Sequence, residues 1–241
     1  MRALFVILIL TMTVDVTSVA DRVLVVTATR GYRHESIETA ETILGQMSRG
    51  EPSFDIVFAR DEKDMARLMT SEALRGVRLI MFVNTTGELA LPDRDLLLQW
   101  VRSGGSLIGV HSASDTWHEW PEWVEMLGGE FLEHPPEFAA GIVVEDQKHP
   151  ATRGLSSLMF VEEIYSFKNF HRDRVNVLLS LRGAQPLAWW RNYGSGRVLY
   201  TALGHRIDVW QLGWFQKHIT GAIQWGLEPH SKGRATQRKA L

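Results

Sequence analysis

The chain of 241 residues is 45% hydrophobic and 22% charged, an ordinary balance that supports one sizeable core. A formal net charge of −2 excludes the basic excess expected of a general nucleic-acid binder. Cysteine is absent, which excludes disulfides, thiolate catalysis, zinc–cysteine sites and anchoring through a lipidated cysteine.

The first residues read as a leader. Arg2 supplies a positive start, Ala3 to Leu10 an unbroken apolar run, and Ser18-Val19-Ala20 a small-x-small cleavage site before Asp21. The run is shorter than the about 20 apolar residues a membrane span needs. The expectation is a Sec-type signal peptide over residues 1–20, a periplasmic or extracellular location, and no membrane span. A body over residues 21–228 follows, with no internal repeat or linker dividing it.

Arg22 to Ala28 is a largely apolar run closed by Arg30-Gly31, the pattern of a strand buried on both faces. Ile37, Ala40, Ile43, Leu44 and Met47 recur at helical spacing between Glu35 and Met47, and Gly50-Glu51-Pro52 stops them. Phe54 to Ala59 is a second strand, Lys63 to Leu74 a helix, and Arg78 to Asn84 a third buried strand. Pro92 opens a helix that reaches Val101, because a proline in the first turn gives up an N–H that has no partner there. Ser103-Gly104-Gly105 ends it, and Ser106 to Val110 is a fourth strand.

Four strands alternating with helices imply right-handed crossovers and a doubly wound sheet. Ligand sites in such sheets lie beyond the carboxyl ends of the strands. Thr29 to His34, Asn84 to Glu88 and His111 to Trp117 occupy that position. The second half changes character: Gly141 to Glu145, Phe160 to Phe167, Val175 to Leu181, Pro186 to Tyr193 and Gly196 to Leu203 read as strands with few helices between them. Tyr193-Gly194-Ser195-Gly196 is a hairpin turn. A helix from Val209 to Trp225 closes the body, and the basic tail from residue 229 is expected to be disordered. The fold class is therefore α/β: three layers around a doubly wound, mostly parallel sheet with an antiparallel extension in the second half.

Gly109-Val110-His111-Ser112-Ala113 has the small residues that a sharp strand-to-helix elbow requires two before and two after its centre. The central residue is His111, whose imidazole can serve as base, acid, nucleophile or metal ligand. A helix-start histidine bonded to the backbone is the plainer alternative.

The order of motifs carries a resemblance. It runs from the Val23–Val26 strand through Gly31-Tyr32-Arg33-His34, Gly104-Gly105-Ser106-Leu107-Ile108-Gly109-Val110-His111-Ser112-Ala113 and Gly128-Gly129-Glu130-Phe131. It continues with His149-Pro150, Glu162-Glu163-Ile164-Tyr165, Pro186-Leu187-Ala188-Trp189 and the stretch from Gly194 to His205. Together these resemble the ThuA (trehalose-utilisation) family over nearly the whole body. The resemblance implies a flavodoxin-like, class I glutamine amidotransferase-like fold and a link to disaccharide or keto-sugar metabolism, without fixing one reaction. Histidine stands where an amidotransferase has its cysteine, so glutamine amide hydrolysis is excluded. Glu162-Glu163 departs from the family's more usual Asp-Glu, with the second carboxylate kept.

On that resemblance His205, after Gly204 at a strand end, falls where an amidotransferase has its catalytic histidine. His111, His205 and Glu163 are the catalytic candidates, with Glu163 orienting an imidazole or acting as acid/base if it faces inward. His34 either positions substrate or caps the following helix. Trp117 and Trp120, in the aromatic cluster Trp117-His118-Glu119-Trp120-Pro121-Glu122-Trp123, are the candidates to stack on a sugar ring, with Trp123 packing in the core. Tyr32 and His134 complete the substrate-binding candidates. His149, His171 and His218 carry no functional expectation. The chemistry, a hydrolase, lyase or isomerase step on a glycoside or keto-glycoside, needs no cofactor. A divalent metal on His34, His111 and His205 is the alternative use of the same histidines. The partner is a small-molecule carbohydrate, and a non-catalytic sugar-binding module is the competing function. Oligomeric state is left open.

Overall fold

The structure is a computed structural model that describes residues 21–50, 53–182 and 184–229. The leader expected over residues 1–20 and nearly all of the expected tail lie outside the described residues. No helix among the described residues is long and apolar enough to cross a membrane.

The first half builds as its sequence pattern demands. Strands β1 (Arg22–Val26), β2 (Asp55–Ala59), β3 (Val77–Val83) and β4 (Ser106–Val110) lie parallel in the order β2-β1-β3-β4. Helices α1 (Ile37–Met47), α2 (Glu62–Leu68) and α3 (Arg94–Arg102) connect them. Side chains alternate across a strand, so each run feeds two cores. Val23, Val25, Leu79, Met81, Ile108 and Val110 pack on one face with Ala40 and Leu44 of α1. Leu24, Val26, Ile80, Phe82 and Leu107 pack on the other with Met65 of α2 and Leu97 and Val101 of α3. Helices cover both sides of these strands, which is why they read as continuous apolar runs.

The second half extends this sheet. After α4 (Pro121–Leu127) come β5 (Glu130–Glu133), β6 (Phe138–Val144), β7 (Leu158–Glu162), β8 (Ser166–Lys168), β9 (Asn176–Leu181), β10 (Gln185–Tyr193) and β11 (Gly196–Thr201). β11 docks parallel against β4, and β10, β9, β6 and β7 continue antiparallel to the far edge, giving nine strands. The β10–β11 hairpin turns at Gly194, whose φ of +61° favours glycine.

Four local expectations change. The expected Phe160–Phe167 strand is two strands: β7 stays on the main sheet, while β8 pairs with β5 in a separate two-stranded sheet. The break falls at Glu163-Ile164-Tyr165, where polar side chains turn inward. α2 stops at Leu68, because the Thr70 hydroxyl accepts the Ala73 N–H and offers the backbone a turn instead. Pro92 lies outside α3, whose N-cap is Asp93, its carboxylate accepting the Leu96 N–H at 2.9 Å. The closing helix is two, α5 (Ile207–Gln211) and α6 (Gly213–Leu227), with Leu212 extended between them.

Two histidines are structural, as expected. His218 is fully buried on α6 and its Nδ1–H donates to the Ala151 carbonyl at 2.8 Å. The His149 ring lies 4.9 Å from Trp225, and its Nδ1 accepts the Ala151 N–H at 3.1 Å. Burial lowers both to about 4. A folded pKa below the unfolded value means that the unfolded chain binds more protons below about pH 6.5, so stability present above that pH is lost as pH falls toward 4. For His218 the loss at pH 5 is about 2 kcal/mol. His218→Asn keeps a donor where Nδ1 stands and removes the titration. Its stability difference between pH 7.5 and pH 5, from urea midpoints, should be smaller than wild type by that amount. An unchanged difference refutes the assignment.

Candidate functional site

The site begins where β4 ends. His111 has φ of +51°, in the left-handed region that an L-residue with a bulky side chain adopts only when its surroundings enforce it. The helix expected after the elbow is a short 3₁₀ helix, His111–Asp115. The elbow is braced from outside: the buried Tyr200 hydroxyl donates to the His111 carbonyl at 2.7 Å and lies 2.8 Å from the Ser114 hydroxyl. Small flanking residues are required by contact as well as by backbone. A Cβ at Gly109 would meet Leu127 Cδ1 at 2.8 Å and Tyr200 Cδ2 at 3.1 Å. Gly109→Ala should therefore destabilise the chain by about 1–3 kcal/mol, measured by denaturant melts. A neutral effect would mean that the elbow yields freely.

The three sheet-end segments picked out by the topology rule interlock here. Thr29 bridges to Thr86 and Gly87 to Thr116, while the Thr85 and Thr116 hydroxyls meet at 2.8 Å. Thr86 Oγ1 donates to the Tyr32 carbonyl at 2.9 Å. Asn84, itself at φ +53°, sends its Nδ2 to Ser36 Oγ and to the Gly204 carbonyl, both at 3.0 Å. That last bond ties the end of β3 to the residue before His205.

Four expected residues converge. His34, His111, Glu163 and His205 each place one potential ligand atom within 4.8 Å of the others. His111 Nδ1 lies 2.8 Å from the Ala202 carbonyl, which can only accept, so Nδ1 carries the proton. Its Nε2 faces Tyr165 Oη at 2.9 Å, His205 Nδ1 at 3.2 Å and Glu163 Oε2 at 3.3 Å. Glu163 Oε2 is also 3.3 Å from His205 Nδ1, while Oε1 takes His134 Nδ1 at 3.1 Å. His205 Nε2 points the other way, 3.2 Å from Glu137 Oε1. The His34 ring packs edge-on against both His111 and His205, with Nδ1 3.4 Å from Ser112 Oγ.

Electrostatics follow from this packing. Burial, reinforced by the neighbouring imidazoles His111 and His205, lowers His34 to about 3. Burial and the His111 charge likewise hold His205 below its ordinary range. Burial pushes the Glu163 carboxyl up, but the hydrogen bond and charge of His111, followed by the charges of His205 and His134, outweigh it and leave it below the usual carboxylate range. Its neighbour behaves oppositely: burial raises Glu162 to about 8, despite backbone N–H bonds from Glu163, Gly204 and His205. Glu162 thus stays largely protonated at neutral pH while fastening the His205 loop.

A cavity of about 320 Å³ opens beside the cluster, lined by Tyr32, Glu35, Ser36, Glu137, His205, Arg206, Ile207 and Asp208. His205 joins cluster to cleft; His111 is fully buried behind it. Tyr32 stands at the rim, 64% exposed, and His134 reaches the cluster through Glu163 and through its ring, stacked 5.9 Å from that of Tyr165. The two tryptophans expected to stack on sugar do not reach the cleft. Trp117 is fully buried with its Nε1–H on the Leu89 carbonyl at 2.8 Å, and Trp120 packs beside Trp123 in the core below α3. Both precede α4, and they pack with its Trp123 into one aromatic cluster beside Phe82. Tyr165 and Glu137 were not among the expected site residues. Tyr165 stands two residues after Glu163, a spacing that could have paired them, whereas nothing in Pro135-Pro136-Glu137 marks the glutamate.

Residues 22–226 match the family model ThuA, described as trehalose utilisation. Among solved structures, a ThuA-like protein from Bacteroides uniformis is 21% identical, covers 88% of this chain and 94% of its own, and superposes with a TM-score of 0.72. One from Parabacteroides merdae is 17% identical, with coverages of 90% and 94% and a TM-score of 0.71. A β-galactosidase from Bacillus circulans matches over 87% of this chain and 32% of its own at 12% identity and a TM-score of 0.56. These likenesses show the fold. No curated protein sequence matches the chain.

Proposed function

The chain belongs to the ThuA family, the family of trehalose utilisation, and from that premise we propose that it is an exported enzyme acting on a disaccharide or its keto form by proton transfer at His111, Glu163 and His205. The observation that carries this reading is one carboxylate oxygen, Glu163 Oε2, held 3.3 Å from both His111 Nε2 and His205 Nδ1 beside a polar cleft.

The chemistry suits a carbon acid. Removing a proton from the carbon next to a sugar carbonyl needs a neutral base near neutral pH, and burial keeps His205 in that form. Glu163 steadies the imidazolium that results, and the proton passes from His205 Nδ1 to the lone pair of His111 Nε2 across their 3.2 Å contact. The proton then returns to the neighbouring carbon in an isomerisation, or to the leaving oxygen when the glycosidic bond breaks. Such proton transfer needs no cofactor. Tyr32 offers the exposed aromatic face, and Glu35, Glu137 and Asp208 offer acceptors for sugar hydroxyls. Export rests on Arg2, the apolar run to Leu10 and Ser18-Val19-Ala20.

Incubation with trehalose, other disaccharides and their keto forms, followed by mass analysis, tests the proposal. A product that requires His205 is the expected result. Saturable binding without product points to a sugar-binding module instead, and neither binding nor product removes the carbohydrate reading.

A further inference from the structure

The cluster has a feature that hydrogen bonding leaves unexplained. His111 Nε2 has one lone pair when neutral and one proton when charged, yet three polar atoms crowd it at 2.9, 3.2 and 3.3 Å. The His205 tautomer deepens the problem. Glu137 takes the proton on His205 Nε2, so Nδ1 also aims a lone pair inward, at His111 Nε2 and Glu163 Oε2. Two lone pairs and a carboxylate oxygen therefore converge on one point. Among the described residues Glu163 has histidines alone as ion-pair partners, with no lysine or arginine to neutralise it.

The spacing matches a known solution. Tetrahedral zinc with bonds of about 2.0–2.1 Å sets its ligand atoms about 3.3–3.4 Å apart. The triangle of His111 Nε2, His205 Nδ1 and Glu163 Oε2 has edges of 3.2, 3.3 and 3.3 Å, and His34 brings a further ring nitrogen within 4.8 Å. Each of these residues also has the outer partner that orients a metal ligand. The Ala202 carbonyl holds His111, Glu137 holds His205, His134 holds the second oxygen of Glu163, and Ser112 lies on His34.

We infer that His111, His205, Glu163 and His34 form a binding site for a divalent first-row transition metal ion, zinc being the one whose geometry fits. Imidazole nitrogen with one carboxylate oxygen is a donor set for this class of ion and not for magnesium or calcium. Binding requires the Tyr165 hydroxyl to turn from His111 to the adjacent Glu163 carboxylate. The inference rests on the same cluster being the reacting centre. A bound ion would supply a Lewis acid able to polarise a sugar carbonyl, and because it takes the lone pairs of His111 and His205, proton transfer at those two nitrogens belongs to the metal-free chain.

The test is zinc uptake by the purified chain after chelation and dialysis, read by calorimetry and by elemental analysis. Wild type should take up one zinc per chain. His111→Ala and Glu163→Ala should weaken uptake at least about 100-fold, Glu137→Gln about 10–100-fold, and the exposed His171→Ala not at all. Cobalt absorption of the wild type supplies a readout that no variant's folding can compromise: intense visible bands mark four-coordinate nitrogen–oxygen ligation. No stoichiometric zinc in the wild type, a pale six-coordinate cobalt spectrum, or uptake unchanged in folded His111 and Glu163 variants each overturns the inference. Product formation by the chelated chain tests the sugar reading separately, so the two can fail independently.

Discussion

His111→Asn should lower kcat/KM on the processed sugar by at least about 10³-fold while the chain stays folded. One positioned imidazole contributes about 10²–10⁴-fold to proton transfer, and nothing nearby can replace this one. The ring is fully buried, so bulk water cannot take its part. Both nitrogens are engaged within the protein, by Ala202 on one side and by Tyr165, His205 and Glu163 on the other. Asparagine is the informative substitution because it tolerates the positive φ at this position and retains a donor for the Ala202 carbonyl. Alanine would strand that carbonyl and the Tyr165 hydroxyl, at about 1–3 kcal/mol for each buried group, and would mix folding with function. His205→Ala should lose a similar factor from the opposite side of the cluster. Undiminished turnover by folded His111→Asn, checked by circular dichroism and a melting curve, would remove His111 from the chemistry.

Glu163→Gln should reduce kcat about 10²–10³-fold with a smaller change in KM. Glutamine keeps the size of the side chain and can still accept the His134 N–H. It loses the charge that steadies an imidazolium on His111 or His205. KM is expected to move less because Glu163 contacts imidazoles and is absent from the cleft lining. Glu163→Asp should not restore the rate, since shortening the side chain by about 1.5 Å withdraws the carboxylate from both 3.3 Å contacts at once. A normal kcat in the glutamine variant would reduce Glu163 to a packing residue. Tyr165→Phe, which removes one hydroxyl and no charge, should cost less than either.

The doubly wound half of the molecule was readable because its physics is local in sequence. A strand covered by helices on both faces must be apolar throughout, and its runs at Val23–Val26, Leu79–Val83 and Leu107–Val110 say so directly. The rule that ligands gather beyond strand ends then singled out the three loops that interlock around Asn84, Thr86 and Thr116. The elbow was readable for a similar reason: Gly109 and Ala113 leave room that a larger side chain would fill.

What escaped was anything depending on which way a side chain turns. Trp117 and Trp120 had the composition of a sugar platform, but a buried indole and an exposed one look alike in sequence, and the core behind Phe82 claimed both. Phe160 to Phe167 had the periodicity of one strand, and the inward turn of Glu163 broke it in two. The sequence by itself determined the parallel sheet, the elbow and the histidines at its rim, because each follows from the pattern of neighbouring residues. Only the tertiary structure decided that Glu163 bridges two of those histidines, that Tyr165 and Glu137 orient them, and which nitrogen of each ring faces inward. Those facts depend on contacts between residues 42 to 94 positions apart.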